Sequence, residues 1–265
     1  MSTNDPAPPA NRPRLDFFVI GAARCGTTSL FSLLLNHPAI YRCPVKEPRF
    51  FNAPGKKGWD WYRSLYDPAP ADQLRGDFSP SYSNSPKLPA VPRRIAAAYP
   101  EARIVYIVRN PIDCVLSNWR MKAQKFGPIG FRESLDEWAK GLLHRSLFWK
   151  QISLYRHCFA DRQILVLQLE RLVTDQAGQI ERLCRFLGID PSGSPKFLHI
   201  NASGAKPDRP GIPLTTLEDR RYFIDLVADD ALQMLDYIGA PLDSWDLSSE
   251  YCGWDQSGSG DAAGG

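Results

Sequence analysis

The chain has 265 residues, of which 43% are hydrophobic and 23% charged, and its formal net charge is +3. These values are typical of one large globular domain, which we predict over residues 15–255, between a disordered lead (1–14) and a disordered tail (256–265). No apolar run approaches the ~20 residues of a membrane span, and the charge is too small to indicate nucleic acid, so we expect neither a membrane nor a nucleic-acid partner.

The first residues and the cysteines bear on the cellular compartment. The opening stretch MSTNDPAPPANRPR is rich in proline and lacks the hydrophobic core of a secretory signal peptide. The six cysteines lie far apart and form no C-x-x-C pair, so they indicate neither a zinc site nor a disulfide framework. We therefore expect a cytoplasmic protein with reduced thiols.

Strand and helix patterns alternate along the chain. In chain order, we predict a strand at 16–20, a helix at 27–36, a helix at 86–99, a strand at 102–109, a helix at 111–125, helices within 132–158, a strand at 163–169, a helix at 174–187, a loop at 192–215 and a helix at 216–238. The second strand is apolar on both faces, so we expect it beside the first in a parallel sheet. The pattern predicts an α/β fold, a P-loop-like parallel sheet flanked by helices on both faces.

A turn containing two glycines joins the first predicted strand to the first helix. The stretch GAARCGTTSL gives Gly21 and Gly26 the spacing of a phosphate loop. Backbone N–H groups at such a turn bind phosphate, although a plain turn with N-capping threonines is the alternative. Thr27 occupies the position of the lysine that nucleoside triphosphates need. A 5′-phosphate end is therefore the better ligand, with Arg24 as its nearest cation.

Four stretches together resemble one enzyme family. They are GAARCGTTSL, KEPRFF, RIVYIVRNPIDCVLSNW and GIDPS. Over residues 16–247, the chain resembles the sulfotransferases that use 3′-phosphoadenosine 5′-phosphosulfate (PAPS), especially the branch of heparan-type carbohydrate enzymes and bacterial relatives. The resemblance implies the sulfotransferase fold and sulfuryl transfer from PAPS to a hydroxyl or amine of a small-molecule or carbohydrate acceptor. It also implies adenosine 3′,5′-bisphosphate (PAP) as the product and no metal ion.

The resemblance implies which residues hold the donor. The first loop binds the 5′-phosphosulfate through Arg24, Cys25, Gly26, Thr27, Thr28 and Ser29. Arg109 and Ser117 bind the 3′-phosphate. In the family a basic loop segment also contacts this phosphate, and the residues available for that in the 192–215 loop are Lys206 and Arg209. The spacing fits, because Arg109 ends a strand at the carboxyl edge of the sheet and Ser117 lies about two turns into the next helix. The alternative is an arginine that caps that helix or pairs with Asp113, with an incidental serine.

For catalysis, the resemblance implies a base and a cation. Glu47 in KEPRFF matches the family's base, and Arg24 replaces a lysine that assists the leaving oxygen. Arginine does not release its proton, so we expect Arg24 to act as a fixed charge. Lys46 is a further candidate for the sulfonate, and a salt bridge within the loop is the alternative role for Glu47.

The acceptor side departs from the family pattern. In GDFSPSY, Asp77 and Phe78 replace a glutamate–lysine pair, which makes Asp77 the reserve candidate for the base. Four aromatic residues form either an acceptor wall or part of the core; they are Trp59, Trp61, Tyr62 and Tyr66. The sequence predicts neither the identity of the acceptor nor the oligomeric state.

Two other functional classes share this architecture. A nucleotide-dependent small-molecule kinase needs the phosphate-loop lysine that Thr27 replaces. A non-catalytic nucleotide-binding protein needs neither Glu47 nor Arg24. Both classes are alternatives to a sulfotransferase.

Overall fold

The computed structural model describes residues 7–84, 87–136, 142–193 and 215–254. These residues belong to two compact units. The first unit draws on Met1–Asn84, Leu88–Val108 and Ile152–Ile200, and the second on Ser85–Lys87, Arg109–Gln151 and Asn201–Gly265. The boundaries of one domain over 15–255 stay a prediction.

The first unit is built on a four-stranded parallel sheet. Its strands are β1 (Phe17–Gly21), β2 (Gly76–Phe78), β3 (Arg103–Val108) and β4 (Ile164–Gln168), in the order β2-β1-β3-β4. The expected pairing of β1 with β3 is confirmed, with Phe18 opposite Ile104. Strand β2 was not predicted, because its three residues are too few to give an alternating pattern.

The described residues form ten α-helices. They are α1 (Thr27–Leu35), α2 (Pro54–Ser64), α3 (Val91–Ala98), α4 (Pro111–Phe126), α5 (Phe131–Asp136), α6 (Leu142–Ser146), α7 (Phe148–Arg156), α8 (Leu169–Thr174), α9 (Gln176–Leu187) and α10 (Leu217–Tyr237). Helix α4 begins as predicted, since the Asn110 side chain accepts the N–H of Ile112 and Pro111 takes the first helical position. Helix α2 was missed because Gly55 and Gly58 weaken the helical signal.

Helices occur within 132–158 as predicted, and in the described residues they are the short helices α5, α6 and α7. A distant residue sets the start of the last of them. Helix α7 begins at Phe148, where Asp230 of α10 accepts the N–H groups of Trp149 at 3.0 Å and Lys150 at 2.7 Å. No local pattern predicts this cap, because its carboxylate comes from a helix about eighty residues later in the chain.

Both faces of the sheet in the first unit are covered, as a parallel sheet requires. Phe17 and Val19 lie in a buried cluster that includes Leu30 of α1 and Leu183 of α9. Phe18 points to the opposite face, where its ring centre lies 5.7 Å from that of Phe51 and 5.6 Å from that of Tyr99. The predicted arrangement of a parallel sheet with helices is confirmed.

Helices α4, α5 and α10 carry the core of the second unit. The ring of Phe131 lies 5.3 Å from that of Trp119 and 5.9 Å from those of Phe223 and Trp254, all in edge-to-face contact. These aromatic contacts join the three helices to the last described residues. None of the helices in the described ranges is both long and apolar enough to cross a membrane.

Candidate active site

The loop between β1 and α1 forms the tight turn that the sequence predicts. Arg24 (φ 71°) and Gly26 (φ 90°) adopt left-handed backbone conformations. The N–H of Ala22 donates to the carbonyl of Ile107 on β3 at 2.7 Å, and the N–H of Cys25 donates to the Ala22 carbonyl at 3.2 Å. These bonds hold the loop at the carboxyl edge of the sheet, where open α/β sheets bind ligands.

The N-terminus of α1 places backbone N–H donors for a ligand beside this loop. No acidic residue lies in the first turn, and Gly26 caps the helix without a side-chain hydrogen bond. The first N–H groups of a helix have no acceptor within it, and the helix dipole makes this end positive. Thr27 and Thr28 are half-buried, whereas the side chains of Cys25 and Ser29 are buried. Ligand contacts from Cys25 and Ser29 would therefore come from the backbone.

A lysine from a separate loop reaches this helix end. The Nζ atom of Lys46 lies 3.2 Å from Oγ1 of Thr28 and 5.4 Å from the ring centre of Phe31. Thr28 and Lys46 are 18 positions apart in the sequence. The phosphate loop therefore has an ammonium group beside it, although Thr27 occupies the usual lysine position.

Glu47 follows this lysine and forms an ion pair with Arg49. Both contacts fall on one carboxylate oxygen, because Nε of Arg49 donates to Oε2 at 3.0 Å and a terminal nitrogen of Arg49 donates to the same atom. The Glu47 side chain is 28% exposed. The salt bridge considered from the sequence is therefore present, and its hydrogen bonds are made to Oε2.

In the second unit, Arg109 precedes α4 and Ser117 lies within it. A terminal nitrogen of Arg109 donates to the backbone carbonyl of Asp113. The carboxylate of Asp113 accepts instead from the hydroxyl of Tyr251 at 3.2 Å. The Nε atom of Arg109 is buried and has no hydrogen-bond partner among the described residues. Arg109 thus contacts the backbone of Asp113, whereas the alternative was an ion pair with its side chain. A buried donor without a partner suits an anionic ligand.

Arg120 belongs to the same helix as Ser117 and was not predicted as a site residue. Arg120 stands three residues after Ser117, so the two share one side of α4. One of its terminal nitrogens is buried and lacks a partner within the part of the chain that the structure describes. Burial lowers the pKa of its guanidinium, while the charge of Asp113 raises it and that of Arg109 lowers it further. The spacing from Ser117 is the signal that could have found Arg120.

The two predicted donor-binding motifs fall into different units. The phosphate loop and the Glu47 loop belong to the first unit, and Arg109 and Ser117 to the second. Lys206 and Arg209 lie outside the described residues. Within the described ranges, no three His, Cys, Asp or Glu side chains are grouped as a metal site, and the expectation of metal-free chemistry stays a prediction.

Comparison with known proteins identifies the family. The sulfotransferase domain matches residues 14–201, which is more than half of the chain. The chain belongs to the sulfotransferase family. The expectation from the sequence motifs is thereby confirmed.

Curated relatives of this sulfotransferase include human enzymes. Human heparan sulfate glucosamine 3-O-sulfotransferase 3A1 is 31% identical over 199 residues, covering 71% of this chain and 48% of that protein. Human heparan sulfate glucosamine 3-O-sulfotransferase 6 is 28% identical over 207 residues, covering 75% of this chain and 59% of that protein. The chain therefore spans only about half of the length of these relatives.

Solved sulfotransferases share the fold. The sulfotransferase from Alicyclobacillus acidocaldarius has a TM-score of 0.71 at 26% identity and covers 88% of this chain and 98% of its own. Mouse sulfotransferase SULT7A1, complexed with PAP, has a TM-score of 0.50 at 19% identity and covers 68% of this chain and 60% of its own. The predicted α/β sulfotransferase fold is confirmed.

In this sulfotransferase, Asp77 is not placed to act as the reserve base. Its carboxylate is 0% exposed and accepts hydrogen bonds from the hydroxyls of Ser79 (2.6 Å), Tyr62 (2.8 Å) and Tyr82 (2.8 Å). Burial raises the pKa of Asp77 to about 6, and the three hydrogen bonds oppose that rise. Because the side chain is shielded from solvent, it does not contact an acceptor in this arrangement.

Two of the four aromatic residues considered as an acceptor wall belong to the core. Tyr62 and Tyr66 are buried, and the ring of Phe50 stacks on Tyr62 with 4.2 Å between ring centres. Trp59 and Trp61 are half-buried. Of the four residues considered as an acceptor wall, these two tryptophans keep exposed surface.

The phosphate loop of this sulfotransferase requires glycine at position 21, where φ is +153° and a Cβ would lie 2.0 Å from Oγ of Ser83. We expect Gly21→Ala to lower the free energy of unfolding by about 1 to 3 kcal/mol through overpacking, as measured by chemical denaturation. Adding Ser83→Ala should restore part of that loss. Gly55→Ala is the control, because a Cβ there meets nothing within 4 Å. Equal losses at both glycines would contradict the steric account.

Proposed function

We propose that this chain transfers a sulfuryl group from PAPS to a hydroxyl or amine of a carbohydrate or small-molecule acceptor. The observation that carries the proposal is the contact of Lys46 with Thr28, next to the carboxylate of Glu47. Lys46, which brings positive charge to the phosphate loop, and Glu47, the candidate base, are thus neighbours in the sequence. Membership of the sulfotransferase family supports the same chemistry.

The phosphate loop is proposed to hold the 5′-phosphosulfate of PAPS. The N–H groups at the start of α1 and the hydroxyls of Thr27 and Thr28 suit phosphate and sulfonate oxygens. Lys46 adds an ammonium group to these donors. Arg24 lies in the loop itself and keeps its proton, so its proposed role is that of a fixed positive charge.

Arg109 and Ser117 are proposed to hold the 3′-phosphate. The buried Nε of Arg109 lacks an acceptor among the described residues, and a phosphate oxygen fits such a donor. Arg120 offers a second buried nitrogen of the same kind. The complex of mouse SULT7A1 with PAP supports a nucleotide with this extra phosphate, by analogy of fold.

The proposed reaction needs a base for the acceptor and positive charge for the leaving group. PAPS supplies the sulfuryl group, and PAP leaves with the bridging oxygen. Glu47 is proposed to take the acceptor's proton through Oε1, because Arg49 contacts Oε2. As the bond from the acceptor to sulfur forms and the bond from sulfur to the phosphate oxygen breaks, Lys46 and the N-terminus of α1 stabilise the developing negative charge.

A carbohydrate is one class of acceptor that the comparisons support. The human relatives are named as heparan sulfate glucosamine 3-O-sulfotransferases. The half-buried ring of Trp59 also lies 4.7 Å from that of Phe50, which stands three residues after Glu47. Trp59 is therefore the proposed platform for a sugar ring, since it packs on the segment that carries the proposed base.

Transfer from labelled PAPS tests the proposal directly. We expect the full chain to move labelled sulfate from PAPS to at least one member of a panel of glycosides, amino sugars and phenols, with release of PAP. ATP labelled at its γ-phosphate is the control for the kinase alternative. Transfer of phosphate without transfer of sulfate would contradict the proposal. Binding of PAP with no transfer to any acceptor would favour the non-catalytic alternative.

Kinetics of two variants test the assigned roles. Arg109→Ala should raise the KM for PAPS about ten- to hundredfold, because a lost charge-assisted contact costs about 1.5 to 3 kcal/mol. Glu47→Gln should lower kcat by about a hundredfold or more and leave the Kd for PAP unchanged. Arg185→Ala, which removes an exposed ion pair with Glu181, is the control and should change neither constant. The reverse pattern would reassign both residues.

A further inference from the structure

We infer that Asp77 is a positioning residue that holds the Glu47 loop in place through the hydroxyls of Ser79 and Tyr82. The inference rests on the proposed function, in which Glu47 is the base. It assigns to Asp77 a role without contact to donor or acceptor. All the contacts that carry it lie within the first unit.

One hydroxyl relay runs through Ser79. The Oγ atom of Ser79 donates to Oδ1 of Asp77 at 2.6 Å and accepts the backbone N–H of Arg49 at 2.9 Å. Arg49 is also the residue that binds the carboxylate of Glu47. The buried carboxylate is therefore linked, through one hydroxyl and one peptide group, to the ion pair that orients the proposed base.

A second relay runs through Tyr82. Its hydroxyl donates to Oδ2 of Asp77 at 2.8 Å and accepts the backbone N–H of Phe51 at 3.2 Å. Arg94 of α3 donates to the carbonyl of Phe51 at 2.9 Å. The loop is thus held at both the N–H and the carbonyl of Phe51, which lies four positions after Glu47.

A carboxylate is suited to this task because it accepts hydrogen bonds and donates none. Each hydroxyl gives its single hydrogen to Asp77 and so turns its lone pairs toward the loop. Asp77 and Ser79 are fully buried and Tyr82 is nearly so, and in such surroundings hydrogen bonds are strong and unpaired groups costly. The relays also hold Arg49 at φ 53°, a left-handed conformation that non-glycine residues rarely adopt.

Tyr62 provides a matched control within the same network. Its hydroxyl donates to the same oxygen of Asp77 as that of Tyr82, at the same distance of 2.8 Å. Both side chains are buried. In the described part of the chain, however, only the Tyr82 hydroxyl also accepts a backbone N–H of the loop. Removing the Tyr62 hydroxyl therefore takes away a hydrogen bond to Asp77 alone, whereas removing the Tyr82 hydroxyl takes away the same kind of bond and the relay to the loop.

Amide exchange tests the inference without any assay of activity. We expect Tyr82→Phe to speed hydrogen exchange of the Phe51 amide about tenfold or more, and Ser79→Ala to do the same for Arg49, because each amide loses its acceptor. Tyr62→Phe should leave both amides within about twofold of wild type. Equal acceleration in Tyr62→Phe and Tyr82→Phe, or none in Tyr82→Phe and Ser79→Ala, would overturn the inference.

Kinetics then link the relay to the base. Tyr82→Phe should lower kcat for sulfate transfer about tenfold or more and leave the Kd for PAP unchanged, while Tyr62→Phe changes kcat less than about twofold. In a Glu47→Gln chain, Tyr82→Phe should cause no further loss. If Glu47→Gln itself leaves kcat intact, the proposed base fails, and this inference with it. If Glu47→Gln lowers kcat and Tyr82→Phe does not, the inference alone fails.

Discussion

The contact between Lys46 and the N-terminus of α1 is the interaction on which the rest of the site depends. The ammonium group lies 3.2 Å from the Thr28 hydroxyl, at the positive end of the helix dipole. Two sources of positive charge therefore meet at Thr28, and both attract an anion bound there. The proposed ligand, the phosphosulfate of PAPS, is such an anion.

The same contact explains why the following residues need a rigid support. Glu47 stands next to Lys46, so any shift of this loop moves the proposed cation and the proposed base together. The short strand β2 brings Asp77 beside Phe18 of β1, and the hydroxyls of Ser79 and Tyr82 then join Asp77 to the loop. A buried carboxylate with a raised pKa is costly to keep, and its hydrogen bonds to the loop supply a structural reason for its presence.

Local sequence patterns predicted the parts of the site that consecutive residues form. The phosphate loop follows from ten residues with two glycines, and the pairing of β1 with β3 follows from an apolar strand. The start of α4 at Pro111 agrees with the helix predicted at 111–125. Contacts between distant residues left no such pattern. The meeting of Lys46 with Thr28, the burial of Asp77 and the cap of α7 by Asp230 all depend on packing, which sequence spacing does not report. Arg120 was missed for a different reason, since the resemblance drew attention to Ser117 and not to its neighbour on the helix.

Calorimetric titration with PAPS in the absence of acceptor tests the central claim most directly. The comparison is between wild type, Lys46→Met and Lys56→Met, since Lys56 is an exposed lysine of α2. The account predicts that Lys46→Met raises the Kd for PAPS about ten- to hundredfold, the equivalent of one charge-assisted contact, while Lys56→Met binds like wild type. An unchanged Kd for Lys46→Met would contradict the claim that Lys46 is the cation of the phosphate loop.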